Sequence, residues 1–173
     1  MDRLQLFEIE PTYIDFLKQY DDKIPNHDYD THDKLYCGVV LIINDLKYLV
    51  PLSSFNKRQA TNLLIRDRTR NNRIIASLRF CFMIPVLDEV IKIKDFSEET
   101  DTNYVALLSK ELRYCRTHAN EIYAKALEVY SFGTDETHPQ YINCCKFKVG
   151  SVSIKWTHFL RVFLQPIHSR VVS

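Results

Sequence analysis

Long apolar runs are missing from this sequence: nothing approaches the roughly 18 consecutive apolar residues that a membrane-spanning helix needs. The opening stretch, MDRLQLFEIEP, has no apolar segment leading to a small-residue cleavage site, which argues against a secretion signal. Glycine and proline are scarce, 3 and 6 among 173 residues, and this excludes a loop-rich or low-complexity chain. Cysteine occurs five times, at 37, 81, 115, 144 and 145, but never as a CxxC pair. An odd number so spread suits reduced thiols in the cytoplasm, each packing as a small apolar side chain. The histidines at 27, 32, 118, 138, 158 and 168 do not stand at zinc-like spacings from cysteine or carboxylate, so no metal and no other cofactor is expected. GxxxxGK[ST], GxGxxG and GxSxG are all absent, which removes phosphate-cradling loops and the hydrolase elbow.

What the chain does have is enough apolar surface, 46% of residues, for one sizeable core, and its length fits a single domain over 1–173. The net charge of +1 conceals an uneven distribution. Residues 1–55 carry ten acids against five bases, whereas 56–80 carry seven bases (Lys57, Arg58, Arg66, Arg68, Arg70, Arg73, Arg79) and one acid, Asp67. The planar fork of arginine suits phosphate oxygens, so this strip is a candidate polyanion contact. A solvated basic loop kept for solubility is the competing reading.

Periodicity predicts the elements. Tyr13, Phe16, Leu17 and Tyr20 form one apolar stripe of a short helix over 12–20, after Pro11 and Thr12 as start signals. The polar run that follows reads as a surface loop. LYCGVVLII at 35–43 is a buried strand, joined through Asn44-Asp45 to LKYLVPL in a tight hairpin. Pro51 offers no ladder N–H and should end that strand's regular pairing. The arginine strip is expected to be a basic connection with a turn at Asn71-Asn72. Residues 77–87 alternate like another strand, EVIKIKDF like a shorter one antiparallel to its neighbour, and 102–130 like one long amphipathic helix. Between 141 and 165 the pattern is ambiguous. Strands in the middle with helices outside predict an α+β fold with a mainly antiparallel sheet.

Candidate chemistry then reduces to hydroxyls, a lysine and aromatics. Ser53 and Ser54 follow a strand end, where a rigid scaffold presents a loop. Lys34 precedes a buried strand, and Tyr13 lies on the first helix. From these residues alone, a turn-capping serine pair, a solvent-facing lysine and a core tyrosine remain open readings.

Four blocks go further. YIDFLKQYDDKIPN at 13–26, KLYCGVVLIINDLKYLVPLSS at 34–54, LRFCFMIPV at 78–86 and YVALLSKELRYCR at 104–116 resemble the ToxN/AbiQ family of type III toxin–antitoxin ribonucleases, found in abortive-infection and phage-defence systems. They stand in the family's order and spacing and cover roughly residues 10–130. The resemblance implies a strongly twisted antiparallel sheet wrapped by helices, related to Kid/MazF-type toxins. It implies metal-independent, sequence-preferring cleavage of single-stranded RNA by 2′-hydroxyl attack, giving a 2′,3′-cyclic phosphate and a 5′-hydroxyl. It implies a partner too: a short repeated pseudoknot RNA, cut from a precursor by the toxin, blocking its active site and alternating with it in a closed ring.

By matching position, the family's Ser/Thr-Ser after Pro-Leu falls on Ser53 and Ser54, its lysine before the first long strand on Lys34, and its helix tyrosine on Tyr13. Its late-helix aromatic and arginine fall on Tyr114 and Arg116. On this reading Ser54, with Ser53 beside it, orients the phosphate. Lys34 stabilises transition-state charge first and acts as general base second, since an unperturbed lysine pKa of about 10.4 makes a poor base near neutrality. Tyr13 would position or stack on a base, and the arginine strip would hold backbone phosphates. Many members follow the serine with Pro-Lys, whereas this chain has Phe55-Asn56-Lys57, so Lys57 takes that place only with a one-residue loop adjustment. His118 stands where a small polar residue is expected and is an additional acid/base candidate. The alternatives are a noncatalytic nucleic-acid-binding module using the same arginines, and an interaction domain with no nucleic-acid role.

Overall fold

The computed structural model describes residues 4–24 and 37–145. Its centre is an antiparallel sheet of seven strands: β1 (Leu6–Ile9), β2 (Gly38–Ile43), β3 (Leu46–Ser53), β4 (Asn62–Asp67), β5 (Arg73–Arg79), β6 (Ile84–Pro85) and β7 (Ile91–Ile93). In space they run β4-β5-β3-β2-β1-β7, with β6 paired to β3. Among the described residues three helices accompany it: α1 (Pro11–Lys18), α2 (Thr102–Thr117) and α3 (Ala119–Thr134). The α+β expectation holds. Among the same residues, no helix is long and apolar enough to cross a membrane.

The β2–β3 hairpin forms where expected. Asn44 and Asp45 both take positive φ, 50° and 61°, as a two-residue turn matched to strand twist requires. Asn71 and Asn72 do the same at φ 49° and 55°. There, however, the arginine strip is not a loose connection: β4 and β5 form a hairpin with a bulge at Ile65/Arg66. A strand with one solvated face accepts arginine at alternate positions, so the charge hid the strands.

Pro51 corrects one expectation and explains another. β3 does not stop at Pro51; it continues to Ser53. Successive N–H groups along a strand point to opposite neighbours, and the Leu52 N–H bonds the Cys37 carbonyl on the β2 side at 2.8 Å. The missing donor of Pro51 therefore faces the other edge, and that is where pairing breaks. β3 pairs with β5 at Leu52↔Leu78 and Ser53↔Ser77, and with β6 at Tyr48↔Pro85 and Leu49↔Ile84. Between them the chain steps out through a 3-10 turn at Phe80–Phe82. The single strand expected over 77–87 is thus the end of β5 followed, after the turn, by the two-residue β6.

Two further expectations change. The long helix over 102–130 is two helices, parted at His118 (φ −112°, ψ 26°). The buried stripe of Leu108, Cys115, Ile122 and Val129 keeps a seven-residue step across the joint, so periodicity alone does not reveal it. β7 pairs with β1, a four-residue strand the periodicity did not single out, and not with the segment before it. The core is built around Tyr13, Tyr48, Phe80, Leu49, Ile65, Leu78 and Ile84, each with almost no exposed surface.

Candidate active site

β3 and β4 both run antiparallel to β5, one on each side of it, and therefore parallel to each other. β3 ends at Ser53, opposite Ser77, while β4 begins at Asn62, opposite Arg79. The connection 54–61 must return along β5 and pass over one of its faces. Cross-strand partners project to the same face, so Ser53, Ser77, Arg79 and Asn62 share one. The loop lies on it. Ser54, carried at its start, is exposed.

Three side chains hold the loop down. The Ser53 hydroxyl accepts the Phe55 amide at 3.1 Å, turning the chain at the strand end. Buried Asn62 spans the far end: its Nδ2 donates to the Lys57 carbonyl and its Oδ1 accepts the Gln59 amide, both at 2.9 Å. Arg79 rises between two rings, its guanidinium carbon 4.2 Å from the Phe55 centroid and 4.8 Å from that of Phe82. Its Nη2 donates to Gln59 Oε1 at 3.3 Å. Two buried polar atoms on this face, Ser77 Oγ and Arg79 Nε, make no hydrogen bond among the described residues.

The other expected residues divide. Lys34 lies outside the described residues. Lys57 and Arg58 are exposed on the loop. Arg66, Arg68, Arg70 and Arg73 are exposed on the β4–β5 hairpin, Arg66 capping the Asn72 carbonyl at 3.1 Å. Asp67, the one acid among them, is buried and anchors the hairpin to α2, accepting Lys110 Nζ at 2.7 Å and the Thr69 hydroxyl at 2.6 Å. Those two donors hold its carboxyl down at about 2. The arginines around it are left to solvent.

Tyr114 and His118 stack at 4.0 Å between centroids, 16° from parallel. The His118 Nδ1–H donates to the Tyr114 carbonyl at 2.9 Å, which fixes the ring on the end of α2. Burial raises the Tyr114 phenol, and the positive charges of Arg66 and Arg68 oppose that shift, so the stack adjoins the arginine hairpin. No contact among the described residues joins His118 to Ser53 or Ser54. Arg116 is already engaged: Nε donates to the Leu4 carbonyl at 2.8 Å and Nη2 to Gln5 Oε1 at 3.3 Å, clamping α2 to the segment before β1.

Tyr13 departs most from expectation. It is 0% exposed, and its hydroxyl donates to the Pro85 carbonyl at 2.8 Å. With no accessible face it cannot stack on a base in this conformation; its place is in the core. The sequence did not mark Ser77 and Asn62 under the loop, and it marked Arg79 only as one cation of the basic strip. A clue was present, since Arg79 lies between Leu78 and Phe80 in a strand-like alternation. Among the described residues no cluster of His, Cys, Asp and Glu is arranged to hold a metal ion.

Comparison with known proteins agrees with this architecture. Residues 5–151 match the family described as toxin ToxN of type III toxin–antitoxin systems. The chain is 30% identical over 159 residues to the endoribonuclease ToxN of Bacillus thuringiensis subsp. kurstaki, covering 84% of this chain and 80% of that protein. It is 28% identical over 160 residues to the endoribonuclease AbiQ of Lactococcus lactis subsp. lactis, covering 84% and 85%. A solved structure, from work on selective toxin inhibition by a non-coding RNA pseudoknot in type III systems, superposes with a TM-score of 0.73 at 29% identity, over 84% of this chain and 92% of that one. With the match spanning the sheet, the serine loop and both long helices, the chain belongs to the ToxN family of type III toxin–antitoxin toxins.

Proposed function

We propose that this protein is an endoribonuclease toxin acting in the cytoplasm as a single domain over residues 1–173, held in check by its own RNA. The observation that carries the reading is the placement of Ser53 and exposed Ser54 at the end of β3, on a loop fastened across β5, with an arginine-covered hairpin built from that same β5. The hairpin's cations suit the backbone of a single strand, and the serine hydroxyls suit the nonbridging oxygens of one phosphate.

In the proposed reaction the ribose 2′-oxygen attacks the adjacent phosphorus. The P–O5′ bond breaks, the 2′-hydroxyl proton leaves to a base, and O5′ gains a proton. The products are a 2′,3′-cyclic phosphate and a 5′-hydroxyl, with no metal required. Ser54 orients the phosphate and Ser53 fixes the turn that presents it. Lys34 is proposed as the source of transition-state charge. The antitoxin is proposed to be a repeated RNA that folds into pseudoknots, is cut by the toxin from its precursor, and closes with it into a ring. Relatives named endoribonuclease support the activity, and the pseudoknot-inhibited toxin supports the RNA partner.

The test is end-group analysis of RNA cut by the purified protein in EDTA. Cyclic phosphate and 5′-hydroxyl ends, lost in Ser54→Ala and Lys34→Ala with RNA binding retained, are the expected outcome. A 5′-phosphate product formed only with magnesium would overturn the mechanism. Equal growth inhibition by wild type and Ser54→Ala would favour the noncatalytic binding module.

A further inference from the structure

Arg79 differs from the other arginines of its strip. Arg66, Arg68, Arg70 and Arg73 stand in solvent on the hairpin, whereas Arg79 is part-buried under the serine loop, one step along the same face from Ser77 and hence beside Ser53. Phe55 and Phe82 flank its guanidinium at 4.2 and 4.8 Å. A guanidinium held against ring faces keeps its N–H groups for a ligand, and charge-assisted N–H contacts suit phosphate oxygens. Its protein partners are weak, a 3.3 Å bond to Gln59 Oε1 and a 3.9 Å approach to Cys81 Sγ. Asp67, the one acid of the strip, is taken by Lys110, and among the described residues no carboxylate pairs with Arg79. Its Nε and the hydroxyl of Ser77 are buried polar atoms without a hydrogen bond among those residues. Both atoms lie beneath the loop, out of solvent's reach, so a ligand would meet the guanidinium at its outer Nη2, whose bond to Gln59 is exposed.

We propose that Arg79 is the phosphate-binding cation of the serine site: its guanidinium edge takes one nonbridging oxygen of the RNA phosphate that Ser54 orients, and Phe55 holds it there. This rests on the ribonuclease reading above. It also accounts for the departure at Phe55-Asn56-Lys57. An aromatic ring after the serines recruits its positive charge from β5, while Lys57 stays exposed in the middle of the loop, where Asn62 grips its carbonyl. The Arg79 guanidinium adds to Lys34 in stabilising charge on the pentavalent phosphorus, as a fixed cation that exchanges no proton.

The test begins by mapping the wild-type cut site in a digest of cellular RNA and making a short synthetic RNA that carries it. Cleavage is then compared for wild type, Arg79→Gln and Arg79→Lys, with oxygen or with sulfur at each nonbridging position of the scissile phosphate. Removing a donor of this type should lower kcat by about 100-fold while leaving KM nearly unchanged. Lysine should recover little of it, having no planar fork. The sulfur substitution that slows the wild-type enzyme should slow neither variant further, because contacting groups are not additive. Where Arg79→Gln melts early, Arg79→Lys carries the sulfur comparison alone. Wild-type kcat in either variant, or a sulfur effect that simply adds to theirs, refutes the assignment while leaving the ribonuclease reading intact if Ser54→Ala is inactive. A wild-type protein that cuts no RNA refutes both.

Discussion

A β-carbon placed on Gly38 would stand 2.1 Å from the carbonyl oxygen of Val50. Gly38 faces Pro51 across the β2–β3 hairpin, two residues before the serines. The strands approach so closely here that only hydrogen fits, and the obstruction is backbone, which cannot rotate aside. Gly38→Ala should therefore destabilise the fold by about 1–3 kcal/mol or more, the range for overpacking, and displace Ser53 and Ser54. Chemical denaturation of the purified variant, with a cleavage assay beside it, checks both. A variant of wild-type stability would contradict the close approach.

Asn62→Ala should uncouple the loop from β4. It leaves the Lys57 carbonyl and Gln59 amide without their side-chain partner and should lose about 1–3 kcal/mol. The more diagnostic readout is local: amides of 57–61 should exchange hydrogen faster, with those of β2 unchanged.

Acid should release the arginine hairpin from α2. Lys110 and the Thr69 hydroxyl hold the Asp67 carboxyl at about 2, below its ordinary 3.8. A depressed carboxyl contributes stability above its unfolded value and loses it as pH falls through the folded one. The tether should persist at pH 5 and above and weaken between 3.8 and about 2. Asp67→Asn should show the weakened state at neutral pH, seen by NMR as separation of Lys110 from the hairpin.

The cysteines should behave oppositely. All five are free and buried. Burial, with Glu111 next, pushes the Cys37 thiol up to about 12; burial does the same for Cys115, and Cys144 rises to about 11. A raised thiol keeps its proton in the fold, so its contribution is complete below the ordinary 9.0 and falls as pH climbs toward 11–12. Native protein near pH 8 should resist thiol reagents that modify the unfolded chain fully. Rapid labelling of the native form would count against this core.

Replacing Arg68 and Arg70 together by Gln should weaken RNA binding across sequences. The salt dependence should flatten by about 0.7 in log–log slope for each phosphate no longer neutralised, the value for single strands. Fluorescence anisotropy over a range of salt measures it. An unchanged slope would remove these arginines from the interface.

The sequence disclosed most where one residue type has one conformational use. Asn44-Asp45 and Asn71-Asn72 announced their turns because few other residues accept positive φ. Pro51 announced a break in pairing, though not which edge would lose it, since that depends on the parity set by the Leu52–Cys37 bond. Tyr13 resembled the family's tyrosine and had the right helix, but linear spacing carries no information on what packs above a ring. The joint at His118 was invisible because the apolar period runs through it. Arg79 was counted with its strip as one more cation, for the rings that single it out come from 55 and 82. The family match, reaching residue 151, extends past the end of the blocks that first suggested it.

The order in space, β4-β5-β3, differs from the order of synthesis. On the ribosome, Ser53 and Ser54 emerge first and the loop after them, with nothing yet to lie across. Only when β5 slots between its two older neighbours does the loop acquire a floor, and Arg79, the last residue of that strand, arrives with the final rung. A nascent chain halted before that point would carry Ser53 and Ser54 without the strand that their loop lies across.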